Sequence, residues 1–267
     1  SSVRGHDVYL IQTHAKPVHT NIMEMLIAID CFRRDSAGRV TVVTPYMSYS
    51  QSDKKDQPRV PITARLLADM IEVAGADRWV TIDLHAGQIQ GFYKIPGDSL
   101  TALHIICKYI RAKGLNGTVV TTDLGFAKGG RNYAEALGFP LAFIEKRRTG
   151  PTGTREALTL IGSVAGRDVL IVDDLVDTAG SVQQAAEIVR AHGARDVYLA
   201  FTHPVLSPPA IDRLRGLDLK EIITTDTLPI APQDRLPNMT ILTVADLLGE
   251  VIIRSHEGRS VGELFNE

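Results

Sequence analysis

Cysteine, aromatic residues and surplus charge are all scarce in this chain, and each scarcity excludes something. Two cysteines, Cys31 and Cys107, in 267 residues cannot make the disulfide lattice of a small secreted protein. Both lie in apolar helical patterns, where buried thiols in a reducing compartment are expected, and the chain reads as cytoplasmic. With 6% aromatics and a formal charge of −2 there is neither a stacking platform nor a basic stripe, which argues against nucleic acid as a partner. No apolar run approaches the ~20 residues that cross a bilayer, and no charged-then-apolar leader opens the chain, so no membrane partner is expected. The chain starts at Ser1-Ser2 and reaches a strand almost at once, so it is expected to be trimmed from something longer.

What is present is a repeating βα pattern. Strand-like runs at Val8–Gln12, Val40–Thr44, Trp79–Asp83, Thr118–Thr122 and Leu141–Glu145 alternate with helical patterns at Asn21–Arg34, Ile62–Ala74, Leu100–Lys113 and Lys128–Leu137. The pattern restarts near residue 146. Strands follow at Ala157–Ile161, Val169–Val172, Val197–Thr202, Glu221–Thr225 and Thr240–Leu242, with helices at Ser181–His192, Ala210–Leu214 and Val244–Ile253. This predicts an α/β fold of two doubly wound, mainly parallel-sheet halves, 1–145 and 146–267, with Gly150-Pro151-Thr152-Gly153 as a flexible excursion near the restart. In such sheets ligands collect beyond the carboxyl ends of the strands, so motifs there take priority.

The run Val169-Leu-Ile-Val-Asp-Asp-Leu-Val-Asp-Thr-Ala-Gly-Ser181 is the most informative. An apolar buried strand breaks into paired carboxylates and ends in small residues where a helix begins. A helix start offers free N–H donors and a positive dipole end, so the turn Asp177, Thr178, Ala179, Gly180 and Ser181 can seat a phosphate without a lysine. Asp173 and Asp174 would be repelled by that phosphate and are better used accepting hydrogen bonds from sugar hydroxyls beside it. A plain strand-to-helix turn capped by Asp177 is the alternative.

Other strand ends carry chemistry of their own. Asp83-Leu84-His85-Ala86 ends one strand and Thr121-Thr122-Asp123 ends another; an imidazole and a carboxylate, His85 and Asp123, leave positions open for phosphate and water, as Mg²⁺ requires. Glu145-Lys146-Arg147-Arg148 ends a third strand, where positive charge can meet charge developing in phosphoryl transfer. The long polar loop from Pro45 through Gln51, Ser52, Asp53, Lys54 and Lys55 to Pro61 suggests binding as well. Six other histidines, His14, His19, His104, His192, His203 and His256, are expected at the surface.

Taken together, Arg4-Gly5-His-Asp7, Asp83-Leu-His-Ala86 with Gln88-Ile-Gln-Gly-Phe92, Lys146-Arg-Arg148, the Val169–Ser181 run, Thr202-His-Pro-Val-Leu-Ser207 and Ser260-Val-Gly-Glu-Leu-Phe265 resemble the ribose-phosphate pyrophosphokinase family, in order and nearly end to end. Phosphoribosyltransferases share only the loop around Asp173–Ser181. The resemblance implies halves of the phosphoribosyltransferase type and conversion of ATP and ribose 5-phosphate into AMP and 5-phosphoribosyl diphosphate, by attack of the anomeric hydroxyl on the β-phosphorus. It implies that Asp177 to Ser181 hold the 5-phosphate, with Asp173 and Asp174 at the ribose hydroxyls and Arg148 at the sugar phosphate. Gln51, Ser52, Asp53, Lys54 and His85 would meet ATP, His85 and Asp123 would hold Mg²⁺, and Lys146 and Arg148 would stabilise the transferring group. It also implies a homo-oligomer of dimers building hexamers.

Two departures stand out. Relatives carry an arginine where this chain has Gln51, and a Phe-x-Asp-Gly-Glu stretch ahead of the match to Arg4-Gly5 that helps clamp adenine. Two other readings remain, a non-catalytic partner subunit of an active synthetase, which these departures suggest, and a phosphoribosyltransferase, which shares the Asp173–Ser181 loop. The intact Lys146–Arg148 and His85 motifs weigh against both.

Overall fold

The computed structural model describes residues 2–149 and 155–262, with side chains outside 146–157. The chain forms two compact units, residues 1–101 with 244–267, and residues 102–243. The first contains β1 (Asp7–Ile11), α1 (Val18–Arg34), β2 (Arg39–Thr44), α2 (Thr63–Ala74), β3 (Arg78–Ile82) and β4 (Gly97–Leu100). The second runs through α3 (Leu103–Ala112), β5 (Gly117–Thr121), α4 (Ala127–Leu137), β6 (Leu141–Thr149), β7 (Arg155–Ile161), β8 (Asp168–Val176), α5 (Gly180–Ala191), β9 (Val197–Pro204), α6 (Ala210–Gly216), β10 (Glu221–Thr225) and β11 (Met239–Leu242). The chain then returns to the first unit with α7 (Ala245–Glu257).

The first unit is a four-stranded parallel sheet in the order β1-β2-β3-β4. Val40, Val42 and Val43 of β2 are buried, as a β-branched strand covered on both faces should be. α1 turns Ile22, Met25 and Ile29 to the core, and α2 adds Leu67, Ala68 and Ile71. Cys31 lies off that stripe and is exposed, contrary to the buried setting expected for it, whereas Cys107 is buried and its thiol is pushed up to about 11 by burial. β4 has no apolar signature; it pairs with β3 at the sheet edge, and Gly97 lets its backbone close onto the Trp79 ring, where a Cβ would come within 2.1 Å. It takes Leu100, so α3 starts later than its pattern suggested.

The N-terminal strand and C-terminal helix of this unit are joined by charge. Asp7 accepts hydrogen bonds from Arg39, from Tyr9 Oη at 3.0 Å and from His256 Nδ1 at 3.0 Å, while Arg39 also donates to the Ser255 carbonyl at 3.0 Å. Burial works to raise the Asp7 pKa, but the bonds from Arg39, His256 and Tyr9 outweigh it and hold the carboxyl at about 2.

The second unit is a seven-stranded sheet, β11-β10-β9-β8-β5-β6-β7, parallel except for β7, which pairs antiparallel with β6. Only five residues lie between β6 and β7 in the sequence, too few for the crossover that a parallel pair needs. The apolar run of β8 sits at the centre, and α5 covers it with Val182, Ala185, Ala186 and Val189. Residues 145 and 146, where the restart placed a boundary, lie within β6.

Candidate active site

In the second unit, β5 and β8 run side by side with Thr121 level with Val172, so the residues that follow each of these positions emerge at one rim. Thr122 Oγ1 donates to Asp173 Oδ2 at 2.6 Å, and the Asp174 N–H donates to Asp173 Oδ1 at 3.0 Å. Asp174 is itself buried. Burial first, then the charge of Asp174 beside it, pushes Asp173 well above the usual carboxylate range; the Thr122 hydroxyl works against this and Asp123 adds to it. Asp123 Oδ1 accepts from the N–H groups of Gly125 and Phe126 at 2.8 and 3.3 Å, which orders the approach to α4. Three carboxylates are therefore gathered at the carboxyl end of the sheet. Repulsion of this kind is relieved by a cation or by proton-donating hydroxyls.

β6 flanks β5 on its other side, with Thr121 level with Phe143, so the backbone of Lys146 lies beyond the same rim. Lys146 and Arg148 pair across the ladder with Leu158 and Glu156. Their side chains, like the Gly150–Gly153 excursion, lie outside the described residues.

The turn into α5 has the form a phosphate needs. Ala179 takes the left-handed conformation at φ 60°, uncommon for a residue with a Cβ, and no side chain caps the helix that starts at Gly180. Thr178 is exposed, while Gly180 and Ser181 are partly buried. Asp177 Oδ1 is buried with no hydrogen-bond partner among the described residues, an acceptor that a ligand could satisfy. Arg213 of α6 donates to the Thr178 carbonyl at 2.9 Å and so braces the turn from behind. The roles of Thr122 and Arg213 do not show in the sequence: they come from strand register and helix docking, which leave no local motif.

In the first unit, Asp83 follows β3 in the left-handed region at φ 39° and His85 is exposed just beyond it. Gln88, in the 3-10 turn Gly87–Phe92, donates to Asp53, which is only 7% exposed. Ser52 Oγ donates to the Pro61 carbonyl at 3.3 Å and accepts from the Thr63 N–H at 3.2 Å, so it closes the loop onto the start of α2. Ser52 and Asp53 thus shape the loop, while Gln51 and Lys54 face solvent. His14 and His203, expected at the surface, are 1% and 2% exposed. Each lies where a strand end is roofed by a returning loop; His203 Nδ1 is 2.9 Å from Thr227 Oγ1, and His14 is held by Ser48.

Among the described residues no three His, Cys, Asp or Glu side chains form a ready metal cage. Mg²⁺ does not require one, since it keeps waters and takes one or two protein ligands alongside substrate phosphates. A cavity of about 420 Å³ opens in the second unit between Lys113, Asp168, Tyr198 and Glu221. It lies at the amino-terminal ends of the strands, away from the carboxylate rim. Its acids are already met, Glu221 by Lys113, Tyr109 and Thr240, and Asp168 by Arg195.

The sheet, its carboxylate rim and the open helix turn define a parallel-sheet α/β protein of the phosphoribosyl type. Residues 1–75 match the N-terminal domain of ribose phosphate pyrophosphokinase, and residues 149–266 match the phosphoribosyl synthetase-associated domain. A ribose-phosphate pyrophosphokinase of Caldanaerobacter subterraneus subsp. tengcongensis is 46% identical over 266 residues, covering 99% of this chain and 84% of that protein. One from Clostridium acetobutylicum is 45% identical, covering 100% and 84%. The crystal structure of phosphoribosylpyrophosphate synthetase from Mycobacterium smegmatis superposes with a TM-score of 0.91 at 40% identity, covering 97% of this chain and 85% of that one. The chain belongs to the ribose-phosphate pyrophosphokinase family.

Proposed function

We propose that the protein transfers the diphosphoryl group of ATP to the anomeric hydroxyl of ribose 5-phosphate, giving AMP and 5-phosphoribosyl 1-diphosphate for nucleotide biosynthesis. Family membership over nearly the whole chain supports the reaction. The observation that carries the sugar site is the uncapped turn at Ala179–Gly180 beside the unpartnered Asp177 oxygen.

The 5-phosphate rests on the turn from Thr178 to Ser181, where N–H groups and the helix dipole face it. A carboxylate cannot bind a phosphate dianion directly, so Asp177 accepts from a neighbouring hydroxyl. Asp173 and Asp174 take the ribose hydroxyls, with Thr122 fixing the Asp173 carboxyl. Lys146 and Arg148 bring positive charge to the group in flight and stabilise the charge that develops there. Gln51, Lys54 and His85 meet ATP from the first unit, on a loop kept in shape by Ser52 and Asp53.

Oxygen donors and one imidazole suit Mg²⁺, and the crowded Asp123, Asp173 and Asp174 carboxylates call for a cation. Asp123 of the second unit and His85 of the first are donors of the kind it takes. When bound it neutralises phosphate charge. The protein works as a homo-oligomer of dimers building a hexamer, in the cytoplasm; no helix among the described residues is long and apolar enough to cross a membrane.

The test is direct: purified protein with ATP, ribose 5-phosphate and Mg²⁺ should release AMP in step with 5-phosphoribosyl diphosphate. Folded protein that forms no AMP would overturn the assignment.

A further inference from the structure

We propose that His14 and His19 are positioning residues that clamp the loop after β2 and thereby set the affinity for ATP. The inference rests on the reading of that loop as the nucleotide site. The main chain first carries β1 pairing into the loop: Gln12 N–H donates to the Val43 carbonyl at 3.0 Å and His14 N–H to the Tyr46 carbonyl at 3.2 Å. The His14 ring then takes over. Its Nδ1 accepts from the Ser48 N–H at 3.2 Å and lies 3.1 Å from Ser48 Oγ.

A ring nitrogen that accepts from a backbone N–H must be the bare one, which puts the proton on Nε2. That Nε2 is buried and has no partner among the described residues. Burial drives the His14 pKa down to about 4, so the ring stays neutral and its acceptor stays available at working pH. An unpaired buried donor is costly, and the compensation found here is the fixing of one loop peptide.

His19 holds the next residue. Its Nδ1 lies 2.9 Å from Tyr49 Oη, and the two rings stack with centroids 6.2 Å apart. Tyr49 needs holding, because its backbone is left-handed at φ 64°. The Tyr49 carbonyl then accepts from the Ser52 N–H at 2.9 Å, closing the turn that presents Gln51. Two imidazoles from one strand end and the helix after it therefore fix consecutive residues just ahead of Gln51–Lys54.

Three variants separate this role from simple support of the fold. His14→Leu, which has no acceptor, and His19→Ala, at an exposed site, should each raise the KM for ATP roughly three- to tenfold, with kcat and the KM for ribose 5-phosphate unchanged. His14→Asn, whose side-chain oxygen can stand in for Nδ1, should stay within about twofold of the parent. A merely structural role would show instead as lost turnover at constant KM. Amide exchange over residues 46–54 reads the clamp without catalysis and should quicken in the Leu and Ala variants alone. Parental ATP KM in both, or unchanged exchange, would overturn the proposal. If the parent forms no AMP, the functional reading falls and exchange still decides whether the histidines clamp the loop.

Discussion

Replacing Asp177 by alanine should separate ligand binding from folding in an unusual direction. Among the described residues Asp177 Oδ1 is buried without a partner, so the carboxylate is a cost to the fold. Such an orphan costs about 1–3 kcal/mol, and the lower end applies because the residue as a whole is only partly buried. Removing it should leave thermal stability unchanged or raise it by about 1 kcal/mol, or about 2 °C for a chain of this size. With ribose 5-phosphate bound, the same oxygen gains a donor, and a hydrogen bond to a charged acceptor is worth about 1.5–3 kcal/mol. The KM for ribose 5-phosphate should therefore rise roughly ten- to a hundredfold, with the KM for ATP little changed. Calorimetry without ligand and steady-state kinetics on one preparation give both numbers. A fall in Tm of several degrees would make Asp177 a support of the fold, and a parental KM for ribose 5-phosphate would remove it from the sugar site.

Lys146→Ala and Arg148→Ala should each lower kcat by about two orders of magnitude or more if they act on developing charge; unchanged turnover would take them out of the mechanism. Asp7→Asn removes the carboxylate held at about 2, below its ordinary 3.8. A depressed carboxyl stabilises above its unfolded pKa and ceases to do so as pH falls through the folded one. The variant should thus lose about 1 kcal/mol at pH 7, after discounting for solvent screening, and converge with the parent between about pH 4 and 2. Denaturant melts across that range check it, and a gap that persists at the acid end would contradict it. Gly97→Ala would place a Cβ 2.1 Å from the Trp79 ring. Overpacking of this kind should cost about 3 kcal/mol and appear as a clear drop in Tm; an unshifted Tm would show that β4 can slide on β3.

What was legible in the sequence follows the periodicities that survive without tertiary context. β8 and α5 announce themselves because a strand buried on both faces is a continuous apolar run and the helix after it repeats small and branched apolar residues at helical spacing. The acidic pair and the turn were visible for the same reason, being contiguous. β4 was invisible: Gly-Asp-Ser-Leu has no strand signature, and it forms because β3 offers an edge and Trp79 a flat surface for a glycine. The burial of His14 could not be seen either. Its environment is made by Ser48, distant in sequence, and the expectation of surface histidines takes no account of a loop folding back over a strand end. Arg213 and Thr122 are of that kind too, since each acts on a segment that only the sheet and its helices bring near.

The first unit is built from two separate stretches, with residues 102–243 forming the second unit between them. The Asp7–His256 and Arg39–Ser255 bonds stitch the early stretch to the late one. During synthesis the second unit has all its strands in hand while α7 is still unmade, so the body formed by residues 102–243 can mature first and the one formed from the two flanking stretches is completed last. A ribosome-stalled chain ending at residue 243 and extended by a linker long enough to clear the ribosome should accordingly protect β5–β11 from protease while leaving β1 and β2 susceptible.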